Sequence, residues 1–346
     1  TRYSNHQVRE VNRPNKSLGK GQQWTILKPR CGTARRKGVI SLSCFFALCF
    51  LHLTTLDHTY ILQPAIMAST YNYEYFNVTF PREYVAQVEI NRPQKMNAFN
   101  ETMWKGIGQI FERLSHDQEV RCVVLTSAGD RAFSAGLDVQ SASETGVLSG
   151  NDGLDAARVA QRLRHHIDEF QASISQIEKC EKPVIAVLHG VSFGLALDMT
   201  LCADIRICVS TTRFAVKEVD IGLAADIGTL TRLPKANIPM SFIKDVALTA
   251  RIFSAKEALA VGIVSAIYDT KAEALSKAVE KAELIASKSP VAIMGTKEVL
   301  NFSRDHSVQD GLRYVSVWNA AYCNTADVTD SLTAGIQKTK PRYAKL

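Results

Sequence analysis

The 346-residue sequence has no CxxC pair, no GxxxxGK(S/T) phosphate loop and no GxGxxG after its first predicted strand. Without those loops the chain offers no cradle for ATP or a dinucleotide cofactor. Its eight cysteines are scattered: Cys31, Cys44 and Cys49 lie early, Cys122, Cys180, Cys202, Cys208 and Cys323 later. None has the spacing of a zinc site, so no metal is expected, and the set suits a reducing compartment better than a disulfide framework. Low-complexity linkers are missing too, so one core with an appended segment is expected rather than independent domains. Most of the chain also lacks an excess of charge. The formal net charge of +7 comes from residues 1–66, which hold ten Lys and Arg against two acids, while the other 280 residues hold 31 against 32. A body so balanced makes no electrostatic case for nucleic acid.

Residues 1–66 contain basic sequence and then an apolar run, "VISLSCFFALCFLHLTTL" (39–56), just after Arg35-Arg36-Lys37. That is the pattern of a signal peptide or anchor, although 18 residues are marginal for a span. The scarcity of acids also fits a mitochondrial presequence. A third reading is upstream sequence foreign to the fold, because ordinary composition begins at Met67. That reading agrees with the other end of the chain. Ala344-Lys345-Leu346 differs by one residue from the Ser-Lys-Leu address read by the peroxisomal import receptor. The expectation is a leader over 1–66, a core over 67–265 and a helical segment over 266–346. It places the protein in the peroxisome, with the mitochondrion as alternative, and without stable membrane insertion.

Along the body, "YVAQVEI" (84–90) alternates like a strand, and Asn100 can cap a helix reaching about residue 115. "RCVVLTS" (121–127), "PVIAVLHG" (183–190) and "IRICV" (205–209) read as buried strands. Val159, Leu163, Ile167, Phe170, Ile174 and Ile177 mark one face of a helix over 155–178. Strands alternating with helices predict an α/β fold. Further on, Ser254 and Glu257 match a capping box and Pro290 suits a first helical turn. Residues 270–288, 308–323 and 326–338 read as helices.

Gly190-Val-Ser192-Phe-Gly194 is a literal GxSxG between a strand and a helix. With the later Asp305 and His306 it could build a serine hydrolase, yet such a turn also arises for steric reasons. His189 reads as a satisfied core histidine. Asp198 falls on an apolar helix, and Glu218, Asp220 and Asp226 fall in the mostly apolar "FAVKEVDIGLAADIGTLTRLP" (214–234). Carboxyls in an apolar cavity titrate high, which suits proton exchange near neutrality. Glu218 and Asp226 would stand about 12 Å apart along a straight helix, or up to about 27 Å apart if extended. A turn at Gly222 could bring both to one cavity. The plainer reading assigns these acids to ion pairs with Arg206, Arg213, Lys217 or Arg232.

Taken in order, "VEINRPQKMNAFN", "VVLTSAGDRAFSAGLDV", "KPVIAVLHGVSFGLALDMTLCADIRIC" and the 214–234 stretch resemble the crotonase, or enoyl-CoA hydratase/isomerase, family. The likeness runs from about Tyr75 to the C-terminus, and the acids at Asp198, Glu218 and Asp226 look most like those of the family's dienoyl-CoA isomerases. The resemblance implies a spiral of repeated ββα units, with C-terminal helices that build homotrimers or homohexamers. It implies an acyl-CoA thioester substrate and no cofactor beyond the coenzyme A of that substrate. An oxyanion hole would come from the N–H groups of Leu137, in Ser134-Ala135-Gly136-Leu137-Asp138, and of Leu195, after Gly194. Many relatives carry Gly where Leu195 stands. Lys95, Asn97 and Ala98 would belong to a CoA-binding loop. Glu218 would take the C2 proton of a 3,5-dienoyl thioester and Asp226 would deliver one to C6, about 5 Å away. Asp198 would tune the pair, and Asp220 is left structural. The alternatives within the fold are an enoyl-CoA hydratase, a delta(3)-delta(2)-enoyl-CoA isomerase and a non-catalytic binding protein.

Overall fold

Strand β1 (Phe76–Arg82) turns back through Glu83 and Tyr84 and pairs antiparallel with β2 (Val85–Ile90). The computed structural model describes residues 70–144 and 153–346, so the expected leader over 1–66 lies outside the described residues. Helix α1 (Glu101–His116) begins where Asn100 accepts a hydrogen bond from the Met103 N–H, a side-chain cap for one orphan donor of the first turn. There follow β3 (Cys122–Ser127), β4 (Ala132–Ser134), α2 (Val139–Glu144) and α3 (Ala156–Lys179). Next come β5 (Val184–Leu188), β6 (Val191–Phe193), α4 (Leu195–Leu201), β7 (Ile205–Val209) and β8 (Arg213–Ala215). The rest is α5 (Thr229–Arg232), α6 (Met240–Thr249), β9 (Phe253–Ser254), α7 (Ala255–Ala260), β10 (Ala266–Tyr268), α8 (Lys271–Ala286), α9 (Pro290–Arg304), α10 (Val308–Tyr322) and α11 (Ala326–Gln337). The capping box of Ser254 and Glu257 closes as expected at the start of α7.

The strands form two sheets, ordered β1-β2-β3-β5-β7-β10 and β4-β6-β8-β9. From β2 to β10 the larger sheet is parallel, and so is β4-β6-β8 in the smaller one. The chain thus lays one strand in the large sheet and the next in the small sheet, then returns through a helix or loop. That is a spiral of ββα turns.

The period of two along β3 explains the layering. Val123 and Leu125 join the core cluster shared with α1 and α3, whereas Cys122 and Val124 face the opposite cluster. On that second face Ala274, Ala278, Ala282 and Ala286 recur every four residues, so α8 lies close against the sheet. The expected boundary at residue 266 is corrected by this packing. β10 and α8 complete the core, and the appended helices begin with α9. Among the described residues, no helix is long and apolar enough to cross a membrane.

Candidate active site

Three loops leave the carboxyl ends of the parallel strands β4, β6 and β8. Their register, Ser134 beside Ser192 and Phe193 beside Ala215, brings those ends level. In parallel sheets this is where ligand crevices form. Here a cavity of about 280 Å³ opens between these loops, α1 and α3.

The first loop carries Ala135, Gly136 and Leu137. Gly136 has φ +99°, and a Cβ there would meet the Phe193 carbonyl at 3.0 Å and the Leu195 N at 3.6 Å. Only glycine allows the first loop to run so close against the second. Leu137 and Leu195 therefore become neighbours. Among the described residues the Leu137 N–H donates to no backbone acceptor. Leu195 opens α4, so its N–H has no intrahelical acceptor. The Leu195 side chain sits in the core cluster and is 4 % exposed, so the core absorbs its bulk.

Asp198, on α4, is almost fully buried. Its Oδ1 accepts hydrogen bonds from the Thr229 N–H at 2.6 Å and the Thr229 hydroxyl at 2.7 Å. Burial pushes its carboxyl up to about 6 against those two bonds. Glu218 stands at the head of a 3-10 turn, Glu218–Ile221, that ends at Gly222 with φ +77°. Burial, and then the charge of Asp198, push the Glu218 carboxyl up to about 7. Its Oε2 is buried with no hydrogen-bond partner, and its Oε1 lies 2.9 Å from where a Cβ on Gly194 would stand. Asp226 is at the exposed mouth, its carbonyl accepting a hydrogen bond from Gln171 Nε2 at 2.5 Å, and partial burial raises its carboxyl as well. The turn at Gly222 thus brings Glu218 and Asp226 to one cavity, as expected. Asp220 pairs with Lys217 at 2.8 Å, the structural role left to it.

The cavity lining gathers Ala135, Gly136, Leu137, Asp138, Gly194, Leu195, Asp198, Glu218 and Asp226. Other expected site residues lie behind it. Ser134 is fully buried, donating to the Asn97 carbonyl at 2.8 Å and accepting from the Gly136 N–H at 3.1 Å. Asn97 is 1 % exposed, and its amide is spent on Arg92 N and the carbonyls of Ala128 and Ala132. Its side chain therefore braces the loop from within. Ala98 is half-buried and gives its carbonyl to Arg92, while Lys95 is exposed on the same loop. Asp138 is tied to Arg92 at 2.7 Å, which links that loop to the loop of Gly136 and Leu137. Burial works against the Asp138 charge, but the Arg92 hydrogen bond holds its carboxyl below the usual range.

The hydrolase triad does not assemble. The Ser192 hydroxyl is fully buried without a partner, and His306 is exposed at the end of α9, stacked on Phe302 at 3.7 Å. Asp305 is instead paired with Lys235. His189 is the core histidine expected, bonded to the Gly129 carbonyl at 2.8 Å, and burial lowers it to about 4. The sequence reading missed the aromatic wall. Trp104 stacks on Phe170 at 4.7 Å, and His166 meets Trp104 edge-on at 5.7 Å. The signal was present in the helical spacing of Leu163, Ile167 and Phe170, but the face it marks serves the cavity as well as the core.

A profile of the Enoyl-CoA hydratase/isomerase family matches residues 81–345. The chain belongs to the enoyl-CoA hydratase/isomerase family. Within it, the chain is 42% identical to the mitochondrial Delta(3,5)-Delta(2,4)-dienoyl-CoA isomerase of Mus musculus, covering 78% of this chain and 82% of that protein. It is 39% identical to the peroxisomal Delta(3,5)-Delta(2,4)-dienoyl-CoA isomerase of Arabidopsis thaliana, over 74% of this chain and 91% of that one. Among solved structures, an enoyl-CoA hydratase from Bacillus anthracis superposes with a TM-score of 0.70 at 25% identity, over 78% of this chain and 99% of the other. The family's fold is therefore that of the described core.

Proposed function

We propose that the protein isomerises 3,5-dienoyl-CoA to 2,4-dienoyl-CoA in the oxidation of unsaturated fatty acids. The observation that carries this reading is the pair of carboxyls, Glu218 and Asp226, raised by burial and lining one cavity. The family's named relatives agree with it. Glu218, poised near 7, takes the C2 proton. The N–H groups of Leu137 and Leu195 stabilise the thioester enolate oxygen, an arrangement worth several kcal/mol in related chemistry. Asp226 protonates C6, and Asp198, fixed by Thr229, sets the field between them. The reaction moves protons and no net electrons, so the coenzyme A of the substrate is the only cofactor group it needs. The loop of Lys95 to Ala98 meets that group through Lys95 and its backbone. The exposed apolar faces of α10 and α11 support a homotrimer or a homohexamer built from trimers. The C-terminal Ala344-Lys345-Leu346 supports import into the peroxisome through its receptor, with the mitochondrion as the alternative.

The test is to supply a 3,5-dienoyl-CoA and follow the ultraviolet absorbance of the conjugated product. Absorbance should rise, and Asp226→Asn should lower kcat by about 100-fold or more with an unchanged thermal midpoint. Brisk hydration of a 2-enoyl-CoA without that rise would assign the site to a hydratase.

A further inference from the structure

Two carboxyls acting in sequence leave the site out of register with its starting state. In one turnover the C2–H bond breaks and its proton goes to the Glu218 carboxylate. The electron pair moves through the enolate, and the C6–H bond forms with the proton of the Asp226 carboxyl. Nothing is oxidised or reduced. Glu218 ends protonated and Asp226 ionised. Before the next turnover one proton must leave Glu218 and one must reach Asp226.

We propose that His166 returns the proton to Asp226. This rests on the isomerase reading above. His166 and Asp226 line the same cavity. The two segments are tied together, because Gln171 on α3 holds the Asp226 carbonyl at 2.5 Å. Gln171 lies five positions after His166 on the same helix, about 7.5 Å along its axis, so the backbone of Asp226 is fixed to the helix that carries His166.

The ring of His166 is held without using its nitrogens. Trp104 packs edge-on at 5.7 Å and Phe170 at 6.4 Å. No described residue forms a hydrogen bond with either nitrogen, and the residue is half-buried between cavity and surface. Such an imidazole can hand a proton inward from one nitrogen while the other draws on solvent. The other titratable groups of the lining are otherwise engaged. Glu101 pairs with Lys105 at 2.7 Å, and Lys105 also reaches Glu169 at 3.3 Å. Asp138 is paired with Arg92, and Lys217 with Asp220. Asp198 is anchored to Thr229. On α3 itself Arg162 and Glu169 lie one turn to either side of His166. Apart from the carboxyls of the reaction, His166 is the uncommitted titratable group of the described lining.

The experiment gives a 3,5-dienoyl-CoA to the full-length protein, to His166→Gln and to His166→Phe, which keeps the ring packing. Product absorbance is followed with enzyme in excess and at steady state. Both variants should keep a single-turnover rate within about twofold of the parent, while kcat falls about tenfold or more. Added imidazole should restore kcat in His166→Gln, saturably, and leave the parent unchanged. An unchanged kcat overturns the proposal and routes the proton through Asp198 or bulk water. Equal losses in both regimes overturn it too, because His166 would then shape the pocket rather than reset it. If the parent converts nothing in a single turnover, the isomerase reading falls first and the relay with it.

Discussion

At the scale of single residues, Glu218 is where charge and burial conflict most openly. Its Oε2 has no partner, and its carboxyl is pushed up to about 7 by burial and by Asp198. In the unfolded chain a glutamate titrates near about 4.3. The folded protein therefore holds this proton more tightly than the unfolded one does. The resulting stability is full below the unfolded value and is lost as pH rises through the folded one. Glu218→Gln has no charge to bury. It should be more stable than the parent at pH 8 by about 1–3 kcal/mol and equal to it near pH 4, read from thermal midpoints. Equal midpoints at pH 8 would mean that the carboxylate is solvated in the fold. The sequence marks Glu218 and Asp226 as charges in an apolar stretch, but their spacing fits ion pairs equally well, and the family resemblance is what singles them out. The role of Asn97 was not legible in sequence, because its partners at Ala128 and Ala132 are distant in the chain and meet it only in the folded loop.

At the scale of elements, the GxSxG turn shows how a motif can be present for steric reasons. Gly190 has φ +56°, and a Cβ there would stand 2.2 Å from the Arg131 carbonyl oxygen. Gly190→Ala should destabilise the protein by about 2–4 kcal/mol, measured by denaturant unfolding. Ser192→Ala should leave isomerisation within about twofold of the parent, and loss of activity there would reopen a nucleophilic role. The long elements were readable from their periodicity. The strands β4, β6 and β8 were not, since each is three residues long and shows no period of its own. They exist because each pairs with the next turn of the spiral, and they are the strands that aim the site.

At the scale of the molecule, apolar side chains remain uncovered on the last helices. Leu332 is 65 % exposed and Ile336 84 % exposed, one turn apart on α11. Replacing both with Asp should convert the proposed oligomer to monomer, read by light scattering, without unfolding the core. An unchanged mass would place the subunit contact elsewhere. The C-terminal tail lies against the body of its own chain. Arg121 donates to the carbonyls of Tyr343 at 2.9 Å and Ala344 at 3.2 Å, and Lys345 pairs with Glu119. Removing Ala344, Lys345 and Leu346 should release a tagged protein to the cytosol. The Lys345–Glu119 pair is exposed and screened by solvent, so the core should melt as before without it.

The sequence by itself determined the family, the order of the long elements and which carboxyls stand out, because motif order and apolar periodicity are local properties of the chain. Only the tertiary structure decided what those residues do together. Glu218 acquires its raised carboxyl from burial beside Asp198, twenty positions away. Leu137 and Leu195 become neighbours because Gly136 has no side chain to keep their loops apart. The helix face of His166 and Phe170 serves a cavity because α3 crosses the carboxyl ends of a sheet that no single segment encodes.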